Sequence, residues 1–559
     1  MSQVNEFSQH ERRFRMTSFH FVAGLVCAVA IAASTMLAEA DEFRDSIDQR
    51  IESGWKANDV KSAGPATDAE FLRRVYLDLH GVIPAHEEAT AFLDDASPDK
   101  RSKLIDALLE HPRFAIHQAD VWDLIYFTRN PPGYGTDKRK GFQKWLREQF
   151  ENDVPYNAWV RSILRAEGNT VKDGSPMFYV MYKSHPEDAA EAITQKFLGI
   201  QLQCARCHDH PFEEWKQIDF YGFAGFLSRL RVVDVGTVDK EKAYAIGEMN
   251  TGDVLFTGPV TEQKRGQKGE PVKPKFLGSD PLVEPKLPEG VKDPRNFPNG
   301  KQPPAPHFSR KNALADWVTN ADNPYFARAA ANRIWGQLMG KGIVHPVDNL
   351  SPANPPSYPE LLDELSNGLV AHNFDLKWLI REIVNSRVYQ LSASGDNTEA
   401  MPMWFERARY RPLSAEELFE SWLLAGGYHD ARKASGKEPE DRFNVRGFTW
   451  DYMRRFFGRP NDGMGNFQGG MQEHLYLNNG QIHQLISKDK GSLYDYLATS
   501  ELPLEDRVER LFLQVLSRRP EAEETEKFVA HLSPEDDQRN QIHEAIWTLM
   551  SCSEFRFNH

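Results

Sequence analysis

Cysteine is scarce in this chain. Four occur in 559 residues, one of them, Cys27, inside an apolar N-terminal run, so Cys204, Cys207 and Cys552 are all that a processed form would keep. A protein of this size with three cysteines is not a disulfide scaffold. Positive charge is also in deficit, with 67 Lys and Arg against 81 Asp and Glu and a formal net charge of −14, which argues against a general nucleic-acid binder. Several catalytic patterns are missing. There is no G-x-S-x-G, no H-E-x-x-H and no EF-hand loop, and GRPNDGMGNFQGG lacks the lysine and hydroxyl residue that end a phosphate loop. No repeat of fixed period occurs.

What is present is ample apolar material for a core. Hydrophobic residues make up 40% and aromatics 11% of the chain, enough at this length for two to four domains and against a disordered chain. The first forty residues read as a leader. Arg12, Arg13 and Arg15 form a positive start, Phe19 to Leu37 is apolar, and Ala38-Glu39-Ala40 offers small residues at the cleavage positions. The mature chain then starts at Asp41, exported to the periplasm or outside the cell, with no stable membrane span after cleavage. The alternative is an uncleaved N-terminal anchor, since the run is nearly long enough to span. Val26 before Cys27 argues against a lipoprotein.

Periodicity predicts helices for most of the chain beyond Asp41. Phe43, Ile47, Ile51 and Trp55 share one face. Thr67 to Glu70 reads as a capping box ahead of FLRRVYLDLHGVIP, and Gly199 should end the helix EDAAEAITQKFLG. From Val232 to about His307, β-prone pieces alternate with glycine and proline, as in Pro303-Pro304-Ala305-Pro306. Helical patterns resume with NRIWGQLMGKGIV, and Ser414 to Glu417 is a second capping box. The expectation is a mainly α, two-domain helical protein with a small β-rich insert or linker between the halves: a leader over 1–40, a helical domain over 41–231, the insert over 232–307 and a helical partner over 308–559.

The chemistry concentrates in FLGIQLQCARCHDHPFEEW, Phe197 to Trp215. Cys204, Cys207 and His208 spell C-x-x-C-H, the c-type haem attachment pattern, in which two thiols bond the haem vinyl groups and the histidine takes the iron. Such a triplet arises by chance with a frequency on the order of one in a thousand or lower at ordinary composition. His210 cannot be the second axial ligand, because two residues span at most about 7 Å; His185, Met181 and Met177 are near enough in sequence to be considered. A second reading takes Cys204, Cys207, His208, His210 and His185 as a non-haem set, for which zinc is suited. A third is a disulfide between Cys204 and Cys207 closing a turn. Asp209, Glu213 and Glu214 could orient an imidazole or simply form a solvated acidic face. Trp215 with Phe220, Phe223 and Phe226 could wall a cofactor or be plain core. Asn332 and Arg333 suggest a buried ion pair, or an arginine that receives a carboxylate.

With these motifs laid out, the chain resembles secreted planctomycete-type proteins that pair two domains of unknown function, families 1549 (cytochrome-type) and 1553. LDLHGVIP, SPDKRSKLIDALLEHPRF, HPEDAAEAITQKFLGIQLQCARCHDHPFEEW and DFYGFAGF look like the first domain. NRIWGQLMGKGIV, VDNLSPANPPSYPELLDELSNGLV, VNSRVYQLS, QEHLYLNNGQ and LFLQVLSRRPEAEE look like the second. The resemblance implies an exported protein connected with electron transfer through an unknown redox or protein partner, and supplies no substrate. Two other readings stay open: a non-haem interaction or scaffold protein with a structural metal or disulfide site, and a metalloprotein acting on extracellular polymers, for which no catalytic dyad is visible.

Overall fold

Helix starts and stops are chemically marked, and they set the architecture. The helix Asp68–His80 begins where Thr67 Oγ1 accepts the amide of Glu70 at 3.2 Å and ends at Gly81, whose φ is +65°. A side chain at Gly81 would sit 2.3 Å from His117 Nδ1, so only glycine fits. Glu70 does not close the expected box. Its carboxylate instead takes the hydroxyl of Ser392 (3.0 Å) and the amide of Ala393 (2.5 Å), tying this helix to a segment more than 300 residues away. The box at Ser414 does form on both sides, Glu417 accepting the Ser414 amide at 2.7 Å and donating its own amide to Ser414 Oγ at 3.2 Å.

The computed structural model describes residues 42–128, 140–183, 185–238, 241–258, 269–293, 304–395, 401–437, 457, 475–478, 481–533 and 538–559. The expected leader over 1–40, the loop 129–139 and the glycine-rich 458–470 lie outside them. The protein is mainly α-helical. Among the described residues the strands form only small antiparallel sheets: Leu230–Val238 with Glu241–Glu248 and a two-residue edge at Gly168–Asn169, Val254–Phe256 with Glu270–Val272, and Arg411–Pro412 with Phe557–Asn558. Apart from Gly168–Asn169 and the first residues of Leu230–Val238, the first two belong to the stretch where glycine and proline break the helical pattern. No described helix is long and apolar enough to cross a membrane.

Two buried clusters carry the packing. One joins Ile47 and Ile51 on the helix 42–57, Phe71, Val75 and Leu79 on Asp68–His80, the aromatics Trp122, Tyr126 and Trp159, and, from beyond residue 310, Leu314, Trp335, Leu365 and Ile380. The other joins Leu77, Val82 and Ile83 to side chains between Leu413 and Phe555. The helix Asp68–His80 thus feeds both. Between them runs a buried polar seam in which Arg411 bridges Asp78 (3.2 Å) and Glu417 (2.8 Å), while Tyr389 Oη and Asn558 Nδ2 donate to Asp78 at 2.8 and 2.7 Å. Burial raises the Asp78 carboxyl above its ordinary range despite Arg411. For Glu417 burial acts in the same direction, but the Arg411 guanidinium outweighs it and holds the pKa down to about 2.

The β-rich stretch is clamped to the helix Arg310–Val318 that comes after it. Glu248, 1% exposed, accepts the Ser309 hydroxyl (2.5 Å) and the Arg310 amide (2.8 Å) at that helix's start, where a carboxylate satisfies free N–H groups and meets the positive end of the dipole. Arg310 itself is sealed and gives a two-pronged bond to Glu284, with Asp253 and the carbonyls of Gly225 and Gly252 completing its donors.

Candidate Cys-His site

The helix Pro186–Leu198 delivers the chain to the site. Pro186 and the acidic Glu187 and Asp188 suit its first turn, and Gly199, with φ +67°, ends it as the sequence predicts. The reversal is close-packed, since a side chain at Gly199 would lie 2.9 Å from Leu350 Cδ1, and the Gly199 carbonyl accepts the Leu350 amide at 2.7 Å. Ile200, Leu202 and Ala205 are buried and pin the next turn to the core. That turn, Leu202–Arg206, is a short 3-10 helix.

Cys204 within it and Cys207 and His208 just after it face outward. Cys204 and Cys207 are exposed free thiols, so the disulfide of the third reading is not formed in this structure. The amides of Cys207 and His208 both donate to the Cys204 carbonyl at 3.4 Å, making one tight turn that carries all three motif residues. His208 Nδ1 donates to the Asp209 carbonyl at 2.7 Å. A carbonyl only accepts, so the ring proton sits on Nδ1 and the Nε2 lone pair is left for a ligand. The orienting group is therefore the Asp209 backbone. The Asp209 carboxylate serves elsewhere, accepting the Gln217 amide at 2.9 Å at the start of the helix Gln217–Ala224.

His210 is built into the loop. Its amide donates to the Trp215 carbonyl at 2.8 Å and its Nδ1 accepts the Phe212 amide at 3.3 Å, a local turn that places its ring proton on Nε2. Trp215 donates its indole N–H to Glu213 at 2.7 Å. Glu214 and Lys216 are exposed. Phe220, Phe223 and Phe226 are fully buried, and the ring of Phe226 stacks on Phe276 at 4.6 Å, so this stripe is core and walls nothing at the motif. Phe212, in contrast, is 78% exposed.

Two clamps hold the turn, and neither was read from the sequence. On one side Arg206 bonds Asp188 (2.8 Å) and Glu191 (3.1 Å) of the preceding helix. Burial pulls the guanidinium pKa down, but these two hydrogen bonds more than compensate and raise it. On the other side the Arg206 carbonyl accepts Gln217 Nε2 (3.1 Å) and Tyr221 Oη (3.3 Å) of the following helix. Their only sequence signal was proximity to the motif. Recognising them requires knowing that the helices before and after lie against the same turn.

The remaining candidates disperse. His185 is exposed, Met177 is buried and Met181 is half-buried. Among the described residues no three His, Cys, Asp or Glu side chains converge as metal ligands, and that includes Cys204, Cys207, His208, His210 and His185. Asn332 is fully buried and holds a loop, its Nδ2 donating to the carbonyls of Val344 (2.9 Å) and Val347 (3.0 Å) and its Oδ1 accepting the Val344 amide (2.9 Å). Arg333 is 6% exposed and lies 3.4 Å from the Lys196 carbonyl. No ion pair joins it to a carboxylate among the described residues, so the expected buried pair is not what holds it.

Residues 46–232 match a family model described as PSCyt2, a protein of unknown function (DUF1549), and residues 310–455 match PSD1, a protein of unknown function (DUF1553). The chain carries these two domains as a pair. The C-x-x-C-H turn lies inside the PSCyt2 match, and Asn332 and Arg333 lie inside the PSD1 match. No curated protein and no solved structure matches the chain.

Proposed function

We propose that this is an exported protein that attaches a c-type haem at Cys204, Cys207 and His208 and serves extracytoplasmic electron transfer. One observation carries the reading: two exposed thiols and an imidazole share a single clamped turn, and the imidazole is oriented through Nδ1 so that Nε2 is the nitrogen available to iron. Each thiol can add its S–H across a vinyl group, a step that needs no oxidant. Bound haem would supply one-electron chemistry. The chain's own part is to present the sulfurs from a turn that Arg206 and Gln217 hold in place and to fix the histidine tautomer.

The test is production of the chain in a host able to attach haem c, followed by denaturation. A Soret band that stays with the unfolded chain, and disappears in the Cys204→Ala/Cys207→Ala protein, is the expected outcome. A colourless protein containing one zinc per chain would overturn the proposal in favour of the non-haem set.

A further inference from the structure

In the second cluster the helices Leu493–Thr499, Leu504–Leu516, Ala522–Leu532 and Ser553–Arg556 pack against the helix Gln538–Ser551. His543 and Trp547, one turn apart on that helix, hold the segment that runs from Leu477 into the 3-10 turn Gln481–Leu485. Trp547 donates its indole N–H to the Leu477 carbonyl at 2.8 Å, and the ring of His483 in the turn lies 5.6 Å from that of Trp547. The other bond joins two imidazoles, with His483 Nδ1 and His543 Nε2 2.9 Å apart.

The centres of these two rings are 5.2 Å apart and their planes differ by 24°. That separation is the N···N distance plus one ring radius on each side. The rings therefore meet head to head along a hydrogen bond, and no cation has room between the two nitrogens. Such a bond holds a single proton. His543 Nδ1 is buried without a partner among the described residues, so it is the bare nitrogen of its ring, because a stranded N–H is the rarer and costlier arrangement. The proton of His543 then sits on Nε2 and is donated to His483 Nδ1.

A second proton cannot be added with this bond intact. On His543 it lands on Nδ1, where nothing accepts it, and on His483 it takes the lone pair that the bond uses. Burial, Lys488 and the facing His483 oppose a charge on His543 and outweigh Glu544, its neighbour in the helix, so the imidazole is held below its ordinary 6.5. Charged groups on the packed helices are engaged elsewhere. Asp495 accepts the Gly491 amide at 2.8 Å, Arg507 donates to the Leu497 carbonyl at 3.2 Å, Arg510 lies over the Tyr496 ring, and Glu524 and Glu554 both take Arg518. His531 gives its Nε2–H to the Gln541 carbonyl at 3.1 Å, a bond that survives protonation of that ring.

We propose that His483 and His543 form an acid-sensitive latch: the bond closes while both rings are neutral, and one added proton opens it and releases the turn Gln481–Leu485 from the helix Gln538–Ser551. Tyr476, Leu477 and Ile482 are buried in the second cluster, so the opening is local. Linkage fixes its direction. The latch is whole above pH 6.5, and below it each pH unit favours the open turn by up to about tenfold until the lowered pKa of His543 is reached. Neither ring belongs to the Cys-His turn, so the latch stands or falls apart from the haem reading.

Hydrogen exchange of the full chain, followed by mass spectrometry at pH 7 and pH 5 and corrected for intrinsic rates, tests it, with the helix Pro359–Ala371 of the first cluster as internal reference. A peptide spanning 481–485 should lose about tenfold in protection at pH 5 while the reference keeps its own. In His543→Gln the side-chain amide stands where Nε2 stood. It donates to neutral His483 and, turned over, accepts from the protonated ring, so the turn should stay equally protected at both pH values. An unaltered protein with no loss at 481–485 would overturn the proposal. So would a loss shared by the reference helix, or one undiminished in folded His543→Gln. Should His543→Gln fail to fold, the ratio of protection at the two pH values in the unaltered protein, taken against the reference, decides.

Discussion

Asn332 and the Cys204–His208 turn are held by the same means, hydrogen bonds to backbone groups, but for opposite ends. At Asn332 the side chain does the holding. It is sealed from water and its amide closes the loop at Val344 and Val347. At the cysteine turn the backbone and the flanking helices do the holding, through Arg206, Gln217 and Tyr221, and the side chains of Cys204, Cys207 and His208 are left outside. A polar residue that a fold consumes is structural; the turn instead leaves its thiols and imidazole accessible, as the proposed haem attachment requires. Substitutions should therefore cost stability at the first place and chemistry at the second.

The largest effect is expected at Asn332→Ala, which strands two carbonyls and one amide in the interior and should cost about 3 kcal/mol or more in urea unfolding; a loss under about 1 kcal/mol would break the contrast. Gly199→Ala comes next. The left-handed backbone and the contact with Leu350 should together cost about 2 kcal/mol, while thiol titration of Cys204 and Cys207 in the folded protein stays complete.

Acid should read the same distinction. Glu417, held down to about 2 against an ordinary 4.5, contributes stability that is full above pH 4.5 and is lost as pH falls towards 2. Asp78, shifted upward by burial, works in the opposite sense and reduces the net slope. The urea midpoint should therefore fall between pH 4.5 and 2, and Glu417→Gln should flatten that fall. A fall unchanged in Glu417→Gln would remove this carboxylate from the account. The smallest effect belongs to Cys204→Ser with Cys207→Ser. Both thiols are exposed, so stability should stay within about 0.5 kcal/mol of the unaltered protein, and a larger loss would make the turn structural after all.

Local chemistry made much of this legible in the sequence. Gly199 ends its helix where the pattern put it, and the Ser414 box closes. The β-prone, proline-broken stretch does hold strands. What failed to show was anything decided at long range. Glu70 looked like a capping partner and is instead bonded to Ser392 and Ala393. Arg333 looked like half of an ion pair and has a carbonyl for company. The motif residues Cys204, Cys207 and His208 were plain, but the groups that fix them lie on helices whose mutual placement no local pattern encodes.

The helix 42–57 docks onto residues that come much later in the chain. Arg44 bonds Glu382 at 2.6 Å and Asp48 accepts Arg387 at 3.1 Å, partners 338 and 339 residues apart, and Ile47 and Ile51 are buried in the same cluster as Ile380 and Ile383. At ordinary synthesis rates that separation amounts to roughly 20–70 s during which the helix has been made and its docking surface has not. Non-local closure of this kind also slows folding itself. The apolar face of the first helix can meet early neighbours such as Phe71 and Val75 at once, but its packing is completed only by residues made near position 380, so the first helix is among the last elements whose surroundings are finished.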